Sequence, residues 1–338
     1  MTPPAPRPSG APDDDPMAAT AAPEPPAPPL SALWRGAARD WTRFHLTDRA
    51  QGAAEGALFA LLRHAPPEWA AAAGRALGAL AGRIDGRRPY VGHMRRALAL
   101  IRPDLDPPAR EVLLARWWRE AGTTLAQFPT LDRLGARDRL AVHGAERIAP
   151  AETSPHPTIY VMVHLGNWEL IGQFWRHRLT RPTFGIWQPE PNRFRNRLVH
   201  RARLRLGTPV FPPSRHLPRR LLAMLRAGAN PGLFVDEVSE GRCKFPLWGR
   251  PAPERCNLIL TLRLAHATGA RLQPAHFLRD GPGRASFHLL DPLEPRPDLD
   301  RDAYVETMAR ALSAAFEPRI AAHVDQWYML KDMRVPKR

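Results

Sequence analysis

From about residue 140 onward, short apolar runs alternate with longer amphipathic segments, and this alternation restricts the fold more than any other feature. TIYVMV (158–163), PTFGIW (182–187), GLFVDE (232–237) and RLQPAHFL (271–278) have the length and the β-branched or aromatic content of strands. Between them, ELIGQFWRHRL, NRLVHRARLRL, RHLPRRLLAMLRA and NLILTLRLAHAT carry apolar residues at helical spacing. Strands apolar on both faces need helices on both faces of their sheet. The order therefore predicts an α/β fold with a mostly parallel sheet flanked by helices. RASFHLLDPL (284–293) offers one further strand, and a last helix is expected from near Asp302 to about His323.

Residues 31 to 130 read as helical throughout, so a helical region precedes the sheet. Leu114, Trp117, Trp118, Ala121 and Leu125 form one broad apolar face, with the tryptophan pair read as core. Four stretches follow from this reading. Residues 1–31, dense in Pro and Ala with Asp13, Asp14 and Asp15 in a row, are expected to be a disordered tail. Residues 32–138 are expected to form a helical, membrane-associating region, 139–330 the α/β domain and 331–338 a basic tail. The start lacks a secretory pattern. No window approaches the roughly 18 uninterrupted apolar residues of a spanning helix. Within 53–84, Arg63, His64, Pro66, Pro67 and Glu68 divide an apolar stretch into two helices. Two readings of that pair stand: a membrane-surface element whose Arg75 and Arg83 meet lipid phosphates, or a helical hairpin of a soluble domain.

The formal charge of +16 is almost all arginine, since only Lys244, Lys331 and Lys337 are lysines. An arginine-rich composition explains it without a partner; an anionic membrane, an acidic carrier protein or nucleic acid explains it with one. Cys243 and Cys256 make neither a disulfide framework nor a zinc cluster. Neither H-E-x-x-H nor a P-loop occurs, so no metal or nucleotide cofactor is expected. There is also no G-x-S-x-G elbow to supply a serine nucleophile.

The stretch TIYVMVHLGNWEL holds the most specific chemistry. A strand ending at Val163 puts His164 at its carboxyl end, where open α/β sheets form their crevices. Gly166 permits a tight turn, Asn167 is a suitable N-cap for a helix starting at Trp168, and Glu169 falls in its first turn. A carboxylate folded back onto one imidazole nitrogen would leave the other basic, as a general base requires. The plainer alternative is a strand-end histidine at the surface and a glutamate favoured by the helix dipole. Spacing leaves both open.

VMVHLGNWEL resembles the signature of the late acyltransferases of lipid A biosynthesis (lauroyl and myristoyl transferases), within the lysophospholipid acyltransferase superfamily. HGAERIAPA (143–151), NRFRNRLVHRARLRLG (192–207) and GLFVDEVSEGRCKFPLWGRPAP (232–253) resemble further blocks of that family in the same order, over roughly residues 50–330. The resemblance implies that 139–330 is an acyltransferase domain, with acyl transfer from acyl carrier protein to a hydroxyl of a lipid A precursor and without an acyl-enzyme. His164 would be the general base, oriented by Glu169. It also implies a place at the cytoplasmic face of the bacterial inner membrane, with a lipid acceptor and an anionic membrane surface as partners. A superfamily member using acyl-CoA or another polar lipid is the alternative. A nucleic-acid-binding protein is the outside alternative, and no reading module for it occurs.

Arg193, Arg197, Arg201 and Arg205 recur every four residues as a basic stripe beside Phe194, Leu198, Ala202 and Leu206. Like charges at that spacing call for an anion, which makes these arginines expected substrate contacts. Asn167, Trp168 and Asp236 are expected contacts as well. Two positions depart from the family pattern: Gln188 stands where an arginine is usual, and Asp332 interrupts the basic run near the end.

Overall fold

The computed structural model describes residues 21–207 and 209–335. Most of the expected tail, residues 1–20, and the last three residues of the expected basic tail lie outside them. The expected helical region is present. Helix α1 (Ala38–Thr42) runs through a π-turn into α2 (Asp48–His64). Ala65 turns to extended backbone, and Pro67 opens α3 (Pro67–Asp85), the first helical position where a proline costs no hydrogen bond. Helices α4 (Pro89–Ile101), α5 (Pro107–Gln127) and the short α6 (Leu131–Leu134) complete the region. Glycines Gly74, Gly78 and Gly122 line the closest part of the α3–α5 contact. A Cβ on Gly78 would lie 2.1 Å from the Trp118 carbonyl oxygen, and one on Gly122 would lie 2.2 Å from that of Gly74. Glycine is what lets these two backbones touch. Among the described residues no helix is long and apolar enough to cross a membrane.

The α/β layer then follows. In chain order it comprises β1 (Leu140–His143), α7 (Ile148–Thr153), β2 (Thr158–Met162), α8 (Ile171–Arg178), β3 (Gly185–Ile186), α9 (Arg193–Arg205) and β4 (Val210–Phe211). Next come α10 (Leu217–Arg226), β5 (Gly232–Phe234), the hairpin β6 (Val238–Ser239) and β7 (Arg242–Cys243), and α11 (Asn257–Thr268). Strands β8 (Arg271–Gly281) and β9 (Arg284–Leu289) and helix α12 (Arg301–Ala322) close the layer.

The main sheet has seven strands in the order β1-β9-β8-β2-β5-β3-β4. β8, β2, β5, β3 and β4 pair in parallel, while β9 runs antiparallel to β8 and parallel to β1. This is the mixed, mostly parallel α/β architecture the alternation predicts. PTFGIW shrinks to the two residues of β3, and GLFVDE to Gly232–Phe234, so Asp236 and Glu237 lie beyond the strand end. β1, β4 and the β6–β7 hairpin are additions to the strands read from sequence.

β2 is the buried centre. All five of its residues are buried, and they alternate between two cores. Ile159, Val161 and Val163 join the larger core with α10, α11 and α12. Tyr160 and Met162 join the other, with Phe174, Phe277 and Phe287. The chain leaves β2 for β3 on one side and later enters β8 on the other, with β5 slotted between β2 and β3. A crevice at the carboxyl ends of β2 and β5 follows from that order.

Candidate active site

β2 and β5 run parallel in a register that sets Tyr160 against Gly232, Val161 against Leu233 and Met162 against Phe234. Two residues further along the same register, His164 stands level with Asp236. The sequence carries this symmetry: YVMVH and GLFVD are two apolar runs that end in a polar residue at the same step. The histidine Nδ1–H donates to Asp236 Oδ1 at 2.8 Å, and the His164 backbone N–H donates to Oδ2 at 2.9 Å. A third donor, the Trp327 indole N–H, reaches Oδ2 at 2.9 Å. Asp236 is completely buried, so all three bonds act away from water.

This bond fixes the imidazole tautomer with hydrogen on Nδ1, which leaves Nε2 as the basic nitrogen. Nε2 has Glu237 Oε2 at 3.8 Å. Burial works to lower the His164 pKa, but the field and hydrogen bond of Asp236, helped by Glu237 and Glu169, outweigh it and hold it above its ordinary value. Aromatic rings wall the imidazole. Phe234 lies 4.4 Å away, and Trp168 meets it edge-on at 5.3 Å. Tyr328 follows at 4.8 Å from Trp168, its own backbone N–H donating to the His164 carbonyl at 2.9 Å.

Glu169 was expected to hold the imidazole, and the hydrogen bond goes elsewhere. Gly166 adopts φ +62° against the backbone of β8, where a Cβ would lie 2.6 Å from the Phe277 carbonyl oxygen. After that turn, Trp168–Leu170 forms a 3-10 turn ahead of α8. There Glu169 meets α9: Arg203 Nε donates to Glu169 Oε2 at 3.1 Å, and a second guanidinium nitrogen donates to Oε1. Burial acts against the Arg203 charge, and Glu169 more than offsets it, so the pKa of Arg203 is raised. Glu169 thus acts on His164 through its field, while Asp236, the residue level with His164 by strand register, makes the bond.

The other expected residues divide. Trp168 borders His164, as described. Asn167 is buried at the N-cap position but does not cap; its Nδ2 donates to Gln127 Oε1 at 3.4 Å, and its Oδ1 has no partner among the described residues. Asn192 is the side-chain cap of α9, accepting from Phe194 N at 2.9 Å. On that helix the expected stripe of free charge is only half present. Arg193 is buried over the Phe44 ring at 3.6 Å, with Asp48 Oδ2 3.6 Å from its guanidinium. Arg197 pairs with Glu24. These two charges are met inside the chain, so they need no external anion. Arg201 and Arg205 are exposed and pair with no acid among the described residues. The arginine nearest the site is Arg203, which lies outside the stripe. Gln188 is exposed, and Asp332 pairs with Lys331.

Neither cysteine is poised for attack. Burial pushes the Cys243 thiol well above its ordinary pKa, and burial raises Cys256 too. The residues that sequence reasoning passed over are Trp327, Tyr328 and Glu237, together with the pairing of Asp236. The Trp327 connection bridges distant parts of the chain and leaves no local pattern.

A family model described as bacterial lipid A biosynthesis acyltransferase matches residues 42–333. Among curated proteins, none matches the chain.

Proposed function

Because the chain belongs to the bacterial lipid A biosynthesis acyltransferase family, we propose that it moves a fatty acyl chain from acyl carrier protein onto a hydroxyl of a lipid A precursor in a late acylation step, with His164 as general base. The observation that carries this reading is the imidazole held at Nδ1 by Asp236 with Nε2 left as the base. The acceptor hydroxyl gives its proton to Nε2 as its oxygen attacks the thioester carbonyl. The tetrahedral intermediate collapses, the carbon–sulfur bond breaks, and the imidazolium returns the proton to the departing thiolate. Asp236 keeps the tautomer and stabilises the transient imidazolium. The amides of Trp168 and Glu169, at the start of the 168–170 turn, suit the developing oxyanion, whereas that of Leu170 is bonded to the Asn167 carbonyl. Glu169 and Arg203 add a fixed dipole beside the reacting groups.

Membrane approach fits α3. Trp69, Leu77, Leu80 and Ile84 are all at least half exposed. At 3.6 residues per turn they share an arc of about 80°, with Arg83 on its flank. An apolar stripe with a flanking arginine suits the interface of an anionic bilayer, at the cytoplasmic face where acyl carrier protein is found. A second reading, transfer to another polar lipid or from acyl-CoA, is favoured by Gln188, which removes a cation the family usually supplies.

The test is mass spectrometry after incubating the full chain with acyl carrier protein thioesters of several lengths and a tetra-acylated lipid A precursor. A mass gain of one acyl chain is expected. No gain with any chain length, alongside a gain on another membrane lipid, would replace the first reading by the second.

A further inference from the structure

Beyond Asp236 the chain builds a second concave site. The β6–β7 hairpin and the loop leading to α11 line an open cleft of about 400 Å³, within the range of small-molecule sites. Its charged lining is Arg242, Lys244, Arg250 and Arg255 against Glu240 and Glu254. Four cations face two carboxylates, an excess of two positive charges. Lys244 is already engaged, donating to Glu240 Oε2 at 2.7 Å and to the Arg255 carbonyl at 3.0 Å.

The arginines are differently placed. Arg250 is half-buried, and two backbone carbonyls fix its guanidinium: Nε donates to Leu247 O at 2.8 Å and Nη2 to Pro246 O at 2.9 Å. Its remaining donors stay available. Burial lowers its pKa, and the charge of Arg242 lowers it further. Arg242 and Arg250 line the same cavity; among the described residues no carboxylate bonds to either or to the side chain of Arg255, and Glu317 and Glu240 reach them only through their fields. That arrangement is unfavourable until an anion arrives.

We infer that this hairpin cavity binds a phosphate ester. A phosphate monoester carries between one and a half and two negative charges near neutral pH, about the excess on the lining. Its tetrahedral oxygens accept from donors arriving from several directions. Arg242 comes from the hairpin, and Arg250 and Arg255 from the loop leading to α11, so donors reach the ligand from two sides. The hairpin that carries the cavity starts just past Asp236: Cys243, in the lining, pairs across it with Val238. A phosphate seated here anchors a substrate through the hairpin that follows Asp236. Which substrate carries that phosphate rests on the acyl-transfer reading; the chemistry of the cavity does not.

The experiment titrates the full chain by calorimetry with inorganic phosphate, with coenzyme A and with a phosphorylated lipid A precursor in detergent micelles, then repeats each with Arg242→Gln/Arg255→Gln. Both side chains are exposed, so the fold is expected to persist, which circular dichroism verifies. At least one probe should bind about tenfold or more weakly to the variant, since two charge-assisted contacts are removed. A loss confined to coenzyme A assigns the phosphate to a coenzyme A donor, one confined to the lipid assigns it to the acceptor, and a loss confined to inorganic phosphate leaves a free phosphate site. Affinities within twofold of wild type for all three probes would overturn the inference. Acyl transfer by the wild type, measured in parallel, keeps the two proposals apart. Wild-type transfer with unchanged binding in the variant sinks only the phosphate site, and weakened binding in the variant with no wild-type transfer sinks only the acyltransferase reading.

Discussion

The indole N–H of Trp327 donates at 2.9 Å to the same buried carboxylate, Asp236, that fixes the His164 imidazole. The near-terminal segment around it is bonded into the site on every side. Tyr328 N–H donates to the His164 carbonyl, Gly166 N–H donates to the Gln326 carbonyl, and the Trp117 indole donates to the Trp327 carbonyl at 2.8 Å. Carboxylate oxygens this deeply buried need such donors, and the orientation of Asp236 sets the tautomer of the histidine.

Replacing Trp327 by Phe keeps most of the ring volume and removes one donor. A loss of about 1–3 kcal/mol in stability is expected from the unsatisfied carboxylate oxygen and the residual gap. The turnover number should fall about tenfold at nearly constant KM, because orientation of the base rather than substrate binding is disturbed. Steady-state kinetics beside urea unfolding measures both. A large stability loss with an unchanged turnover number would reduce Trp327 to a packing residue.

The raised His164 pKa sets the pH dependence. The base must be neutral to accept a proton, so activity should fall as pH drops through a limb lying above the ordinary histidine value of about 6.5. Asp236→Asn should move that limb downward and cut the turnover number about a hundredfold or more. Stability runs the opposite way: the His164–Asp236 interaction contributes fully below the unfolded pKa, and its contribution is lost as pH rises through the folded value. Unfolding free energies across that window should therefore decline with pH in the wild type and flatten in Asp236→Asn. An unmoved limb in the variant would contradict the assignment.

Glu169 and Arg203 are both mostly buried, so breaking the pair by Glu169→Gln should cost about 2–4 kcal/mol by leaving the guanidinium without its counter-charge. Glu169→Leu/Arg203→Leu should recover part of that loss. The activity of Glu169→Gln is expected to fall less than that of Asp236→Asn, since the carboxylate acts through its field alone. Chemical denaturation and initial rates on the same preparations separate the two effects. Equal or greater loss in Glu169→Gln would restore it as the main partner of the base.

The α3 stripe gives a binding prediction. Leu80→Glu/Ile84→Glu places two charges on an exposed face, so the fold should be kept while co-sedimentation with anionic phospholipid vesicles drops about tenfold or more. Unchanged sedimentation would move the membrane contact elsewhere.

The sequence made the sheet legible because apolar runs and helical spacing are local signals. His164 was legible for the same reason: a strand end is visible in VMVH. Its hydrogen-bonding partner was not, since Glu169 is five residues away and Asp236 is seventy-two. Only the register of β2 on β5 brings the latter level with the imidazole. The arginines of α9 show the same limit. Their spacing is local, but which of them is neutralised depends on Glu24, Asp48, Glu55 and Glu169, acids brought in by other segments. Trp327 is further still from any local rule, because its function follows from where the chain returns after α12.

The most direct measurement compares the single-turnover rate of acyl transfer by wild type and by His164→Ala, with binding of the acyl donor verified in both. A fall of about a thousandfold or more with donor binding intact is expected if the imidazole takes the hydroxyl proton. A rate within tenfold of wild type would contradict His164 as the general base.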